Sequence, residues 1–321
     1  MKIALTGIKP SGPPHLGNYL GMIRPALGLA AQYRCLYFIA DYHALTTLHD
    51  GAALRQHTRA LAATWLALGL NADEALLYRQ SDVPEIPELS WILSCFTSKG
   101  MLDRAHAYKD AVAQNREVSV GVYTYPVLMA ADILAFGAQV VPVGRDQKQH
   151  VEICRDIAQR FNHVYGELLT VPEAVIQEEV ETIPGLDGRK MSKSYDNTLP
   201  LFLDSGRLRK LVMRIATDST PVEAPKDPEA APVFLLYRHL VGREAAAGLA
   251  EKLRAGGTGW AAAKQALFEA LETVLGEART RYEQWMADGS ALEAVLQRGA
   301  ERARDLAAPR MDAIRRAVGA R

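Results

Sequence analysis

Two short stretches of this sequence carry the residue types of phosphate chemistry. The first, Gly7 to Gly21, reads GIKPSGPPHLGNYLG and sets the side-chain donors of His15 and Asn18 three residues apart. Gly7, Gly12 and Gly17 let backbone come close to a bulky group, and Pro10, Pro13 and Pro14 stiffen the approach. An apolar run, Ile3-Ala4-Leu5, comes before it, and the helical spacing Tyr19, Leu20, Ile23, Leu27 follows. That order is strand, tight loop, helix start, where unpaired N–H groups and the positive dipole end suit an anion. The stretch is neither a P-loop, which ends in Gly-Lys-Ser/Thr, nor GxGxxG, and an ordinary strand–helix turn with a surface His also fits it. The second stretch is Lys190-Met191-Ser192-Lys193-Ser194, set after the turn-rich Pro184 to Arg189. Taken alone, such a run reads as a solvated loop.

A third candidate sits on a helical pattern. Tyr125, Met129, Asp132 and Phe136 fall at i, i+4, i+7 and i+11, hence on one face. A carboxylate among aromatic and thioether groups is costly unless something donates to it. Two readings follow. Asp132 is salt-bridged to a local Arg or caps backbone, or it receives a flat apolar ligand with a single N–H, which describes indole. A pocket for a phenol, which needs a partner for a hydroxyl, is not excluded by this face.

The elements that must position these groups follow from periodicity. Ile3–Leu5, Cys35–Ala40, Ala75–Tyr78 and Gln139–Val143 are short apolar strand candidates. A helix from about Asp50 to Gly69 carries the stripe Leu54, Leu61, Trp65, Leu68. A second helix, from Tyr125 to Phe136, has Pro126 in its first turn. A third carries Val151, Cys154, Ala158 and Phe161. Alternating strands and helices predict a doubly wound α/β sheet. Polar groups then cluster where strands end: Asp41-Tyr42-His43 after the second, and Gly144 to His150 after the fourth. Asp146 there also fits a plain N-cap. Between residues 83 and 116 the alternation pauses, with a helix through Leu89, Ile92, Leu93 and Phe96 to Gly100 and a less regular Asp103 to Arg116. An insertion between two halves of a nucleotide-binding fold would look like this. Past Pro200 the stripes are helical, beginning with Leu208, Leu211, Val212 and Ile215, and Ala255 to Gly259 reads as a helix break.

Composition narrows the class. Of 321 residues, 49% are apolar and 23% charged, an ordinary globular profile. No apolar run approaches the ~20 residues of a membrane span, and the N-terminus has no secretory signal layout, so a soluble cytoplasmic protein is expected. Three cysteines, odd in number and far apart, suggest neither a disulfide framework nor a metal site. Lysine plus arginine balances aspartate plus glutamate at 37 each, so net charge is silent on nucleic acid. Residues 298 to 321 hold seven Arg against three acidic residues, which fits a solvated helix face or an RNA contact.

Together the two stretches resemble the two signatures of class I aminoacyl-tRNA synthetases, with His15-Leu16-Gly17-Asn18 as the first and Lys190 to Ser194 as the second. The first departs from the usual His-x-Gly-His by ending in Asn18, as in the tryptophan branch. GRDQKQH (144 to 150) and AADIL (130 to 134) resemble the same branch. Tyrosine enzymes typically carry a double Gly before Asp-Gln and a Trp-Gly after it. The resemblance touches five places between residue 3 and about 200.

It implies a Rossmann-like catalytic domain over residues 1–200, a helical anticodon-recognition domain over 201–291, and a final helix, 292–321, returning to the first. The insertion, about 83–116, would form a dimer interface. The implied reaction joins tryptophan to its tRNA through an adenylate made from ATP with Mg²⁺. The resemblance assigns catalysis to His15, Asn18, Lys190 and Lys193. It assigns ATP contacts to Lys9, Ser11, Gly17, Asn18, Lys109, Gly144, Asp146 and Lys190 to Ser194 (Met191, Ser192 and Lys193 between them). Tryptophan contacts fall to His43, Tyr125, Met129, Asp132 and Gln147, and no resident metal ligand is implied. Related bacterial sequences often carry a second Lys two residues beyond Lys109, where this chain has Ala111. A tyrosine-specific enzyme and a paralogue making an adenylate for another pathway remain alternatives. A non-catalytic nucleotide-binding regulator is disfavoured by the two signature lysines.

Overall fold

A computed structural model describes residues 1–113, 117–144, 147–176 and 182–320. The chain opens with β1 (Ile3–Ile8), then a short α1 (Leu16–Asn18), a π-helical turn (Tyr19–Ile23) and α2 (Arg24–Gly28). Next come β2 (Arg34–Ile39), α3 (Asp41–Ala44), α4 (Gly51–Ala67) and β3 (Leu76–Arg79). Asp50 caps α4 by accepting from the Ala52 and Ala53 N–H groups, and Gly69 ends it at φ 101°. A helical segment follows: α5 (Glu85–Ser94), α6 (Lys99–Leu102), α7 (His106–Ala113) and α8 (Val120–Leu134). β4 (Val140–Val143), α9 (Lys148–Tyr165) and β5 (Glu173–Ile176) complete the sheet.

All pairings are parallel, in the order β3-β2-β1-β4-β5. The sheet grows outward from β1 in both directions, so its doubly wound switch point lies between β1 and β4. Ligands of open α/β sheets bind outside the carboxyl ends at that point. Successive residues face opposite layers. Leu5, Leu36, Leu76 and Val141 join one core cluster, while Ala4, Cys35, Leu77 and Val140 join the other.

Three expectations are corrected. The helix bearing Asp132 starts five residues earlier than Tyr125, at Val120, because the Ser119 hydroxyl accepts from Val122 N–H and caps it. Pro126 is therefore interior, and the Val122 carbonyl lacks the N–H it would have received there. Residues 106 to 113, expected to be irregular, are helical, and the α5 helix stops at Ser94 rather than reaching Gly100. The fifth strand was not foreseen; only Val175 and Ile176 of its four residues carry a β-branched signal.

Beyond the sheet lie α10 (Ser205–Met213), α11 (Pro232–Val241), α12 (Arg243–Ala255), α13 (Trp260–Ala287) and α14 (Gly289–Val318). Leu208, Phe234, Leu253 and Leu271 continue one sheet-face core into these helices without a break. The last helix, α14, lies along the edge strand β3. A Cβ on Gly299 would stand 1.9 Å from the Leu77 carbonyl oxygen, so only glycine permits this approach. Arg302 donates to the Ala72 carbonyl (2.8 Å), Arg310 to the Ala135 carbonyl (3.2 Å), and Arg315 forks onto Glu88. Of the arginines in the basic stretch, these three turn inward and bind protein; neither the solvated-face nor the RNA reading describes them. No helix is long and apolar enough to cross a membrane among the described residues.

Candidate active site

The first signature forms where β1 ends and α1 begins. The His15 N–H donates to Asn18 Oδ1 (3.1 Å), which closes the first turn and occupies the Asn18 carbonyl oxygen. Leu16 N–H bonds to the Leu199 carbonyl (2.8 Å), and His15 bridges Pro200 in an antiparallel sense. The segment just after the second signature is thus stitched to the first.

Two further contacts and one charge effect join the two. Gly17 N–H points at the Met191 sulfur (3.2 Å). A Cβ on Gly12, whose φ is 124°, would lie 3.1 Å from Lys193 Nζ, so the ammonium rests on bare backbone. His15 is buried, its Nδ1 has no hydrogen-bond partner, and its pKa is lowered to about 4, first by burial and then by the Lys193 charge. It is therefore a neutral imidazole at pH 7. Partial burial also lowers the Lys193 and Lys9 ammonium groups, and Lys9 donates to Thr46 Oγ1 (3.0 Å). Ser11 and Lys190 are exposed, and Ser192 Oγ and Ser194 Oγ share a hydrogen bond of 2.8 Å. The result is a half-buried concentration of N–H and ammonium donors facing the sheet's carboxyl end, which suits a polyphosphate.

The loop holding Lys190 to Ser194 takes its shape from Asn197. Its Oδ1 accepts from Ser192 N–H (2.8 Å), and its Nδ2 donates to Asp187 Oδ1 (2.7 Å) and the Lys190 carbonyl (3.1 Å). Asp196 sits at φ 49°, so the chain turns back through a left-handed residue just before this hub.

The other end of the site is built from buried polar groups. Asp132 is 1% exposed on α8. His43 Nε2 lies 2.8 Å from its Oδ2, and Gln80 Nε2 donates to its Oδ1 at 2.7 Å. Its partners are therefore side chains from the ends of β2 and β3, rather than a local Arg or backbone as one reading had it. Burial pushes the carboxyl pKa up, opposed by the bonds from His43 and Gln80. The Tyr125 hydroxyl pairs with His150 Nε2 (2.6 Å), and its ring stands edge-on to His43. A cavity of about 430 Å³ opens here, lined by Tyr42, His43, Thr46, Pro87, Tyr125 and Leu128 among others. Asp132, Met129 and Gln147 lie outside that lining, Asp132 behind His43.

A family description of class I tRNA synthetases (W and Y) matches residues 2–276. The chain belongs to that family. Among its relatives are the tryptophan–tRNA ligases of Pseudomonas aeruginosa, 52% identical over 99% of this chain and 73% of that one, and of Xanthomonas axonopodis pv. citri, 51% identical over 99% and 76%. Among solved structures, a Campylobacter jejuni tryptophanyl-tRNA synthetase complexed with ADP and tryptophan superposes with a TM-score of 0.92, at 43% identity and 99% coverage of both chains. A tyrosyl-tRNA synthetase from Archaeoglobus fulgidus shares the fold at 20% identity, TM-score 0.69, over 88% of this chain and 90% of that one.

In this synthetase the structure gathers His15, Gly17, Asn18, Met191 and Lys193 at one end of the site and His43, Tyr125 and Asp132 at the other, with Lys9 bonded to Thr46 of the cavity lining. Met129 packs half-buried against the core beside them. Gly144 follows β4 and accepts from Gln147 N–H (3.0 Å). Lys109 is exposed on α7, with no contact to either signature among the described residues, and Asp146 lies outside them. Sequence reasoning missed Gln80 and Asn197. Both are buried amides that hold other site groups, and neither belongs to a recognisable motif.

Proposed function

We propose that this synthetase activates L-tryptophan with ATP, releasing pyrophosphate, and passes the tryptophanyl group to the 3′ end of its tRNA. The observation that carries the reading is that two signatures rich in anion donors and a buried carboxylate lie outside the same carboxyl edge of the sheet. The amino-acid carboxylate attacks the α-phosphorus of ATP in line. Chemistry of this kind needs positioning and fixed donors more than covalent help from protein. His15, neutral at working pH, donates through a ring N–H, and Asn18 donates through its amide nitrogen, since its oxygen is already used. Lys190 and Lys193 balance the leaving pyrophosphate, with Lys9, Ser11, Gly17, Met191, Ser192, Ser194 and Gly144 lining the nucleotide. ATP would enter as its magnesium complex, whose cation would offset charge on the departing phosphates beside Lys190 and Lys193.

At the other end Asp132 accepts the indole N–H. An ionised carboxylate has about four lone-pair sites, so two remain after His43 and Gln80. Tyr125 and Gln147 hold the amino-acid end, and Met129 packs along the ring. The helices over 201–291 read the anticodon, and the enzyme works in the cytoplasm where its tRNA is used. A C₂ dimer completes the assembly: Trp91 (73% exposed) on the helical insertion and Val120 (77% exposed) at the start of α8 supply apolar surface for it.

Charging of transcribed tRNA tests the reading. Tryptophan should be ligated and tyrosine should not compete in pyrophosphate exchange; the reverse preference would overturn it. Light scattering at micromolar concentration should give twice the 35.2 kDa chain mass, and a fully active monomer would refute the dimer.

A further inference from the structure

Gln80 is fully buried in the turn that follows β3, and every polar atom of its amide is directed. Its Oε1 accepts from Tyr42 N–H (3.1 Å) and His43 N–H (3.4 Å), which fixes the amide's orientation. Nε2 must then face Asp132, and it donates to Oδ1 at 2.7 Å. His43 Nε2 engages Oδ2 at 2.8 Å, so the carboxylate is held through both oxygens and its plane is set. Gln80 therefore couples the backbone at the end of β2 to a carboxylate on α8.

Joining β2 to β3 does not by itself require this residue. Asp41 already makes the join: its Oδ1 accepts from Ser81 N–H (3.0 Å) and Tyr42 N–H (3.1 Å), and its Oδ2 accepts the Ser81 hydroxyl (2.5 Å). What Gln80 adds is an acceptor for His43 N–H and the bond to Asp132, so both of its further contacts fall on the pair that includes the carboxylate. A hydrocarbon side chain there would leave Oδ1 buried with one donor fewer and the carboxylate free to rotate toward His43.

We propose that Gln80 is a positioning residue for amino-acid selection, fixing Asp132 so that its remaining lone pairs meet the ring N–H of the incoming amino acid. The proposal rests on the role given to Asp132 above. It predicts that Gln80 acts on discrimination and on tryptophan KM, and leaves ATP KM and the rate at saturating tryptophan nearly untouched.

The test is pyrophosphate exchange with tryptophan and with an analogue whose indole N–H is replaced by sulfur, in wild type, Gln80→Met and Gln80→Glu. Wild type should prefer tryptophan strongly. Gln80→Met should raise tryptophan KM by about ten- to hundredfold and shrink the preference by a similar factor. Gln80→Glu, of the same shape, sets a second carboxyl against Asp132 and should also shrink it. A purely structural role would lower the melting temperature of both variants and leave the preference of the surviving activity unchanged; that result overturns the proposal. If wild type itself uses the two amino acids equally, it is the Asp132 reading that has failed. Should neither variant fold, ¹⁵N spectra of glutamine side chains in the wild type decide. The Gln80 amide should shift with tryptophan and differently with the sulfur analogue, and identical shifts would overturn the proposal.

Discussion

The two ends of the site solve opposite problems. At the ring end Asp41, Gln80 and both oxygens of Asp132 already have protein partners, and Asp132 is almost wholly shielded. At the phosphate end His15 Nδ1 is buried without a partner, Lys193 rests on a glycine, and Lys190 is exposed. One end is largely satisfied before any ligand arrives; the other concentrates donors that suit an anion. Selectivity belongs with the first kind of site, because a rigid polar partner penalises the wrong ligand. Rate belongs with the second, because donors waiting for charge bind it best as it builds.

Asp132→Ala should sharpen this contrast most. It removes the proposed acceptor and also leaves the His43 and Gln80 donors unpaired, so kcat/KM for tryptophan should fall at least about a hundredfold while ATP KM holds. Asp132→Asn should fall less, by roughly ten- to hundredfold, since its oxygen still accepts. A drop in ATP affinity of equal size would erase the distinction between the ends. Lys193→Ala comes next. Loss of one charge-assisted contact should slow adenylation roughly ten- to hundredfold and spare tryptophan affinity. Single-turnover kinetics would separate these, and an equal loss in both would break the comparison.

Met191→Leu keeps the shape but leaves Gly17 N–H without its sulfur acceptor. Its effect should be smaller, roughly two- to tenfold on adenylation, and any effect on tryptophan discrimination would contradict the division of labour. The smallest effect is expected from titration. With its pKa lowered from 6.5 to about 4, His15 is neutral in the folded chain where the unfolded chain would bind a proton. The stability it contributes is present above pH 6.5 and is lost as pH falls toward 4. Activity between pH 6 and 8 should show no inflection from this group. NMR of its ring carbon should show a midpoint near 4 that rises in Lys193→Ala yet stays below 6.5, since burial is the larger cause. A midpoint near 6.5 in the wild type would show that His15 is solvated.

The two ends also differed in how far the sequence revealed them. The phosphate end is encoded locally: glycines, prolines, His15 and Asn18 within one turn, and two lysines within five residues. The sheet was legible for the same reason, since four of its strands are short apolar runs punctuated by polar ends. Asp132 was legible as a carboxylate in need of a donor, because helical periodicity places it on an apolar face. Its donors were not, since Gln80 and His43 lie 52 and 89 residues away and meet it only where strand ends converge. Arginines in the basic stretch misled for a related reason: Arg302 and Arg310 bind backbone carbonyls, which no residue type announces.

The docking of α14 on β3 bears on how the protein is made. Arg302 lies 230 residues beyond the Ala72 carbonyl it binds. At roughly 5–20 residues per second, the outer edge of the sheet leaves the ribosome about ten to fifty seconds before its cover does. During that interval β3 is an unguarded edge of the kind that invites pairing with other chains. Nascent chains of this enzyme thus have a defined window of vulnerability to mispairing. Its length is set by translation speed, and a chaperone holding β3 would protect them until the last helix arrives.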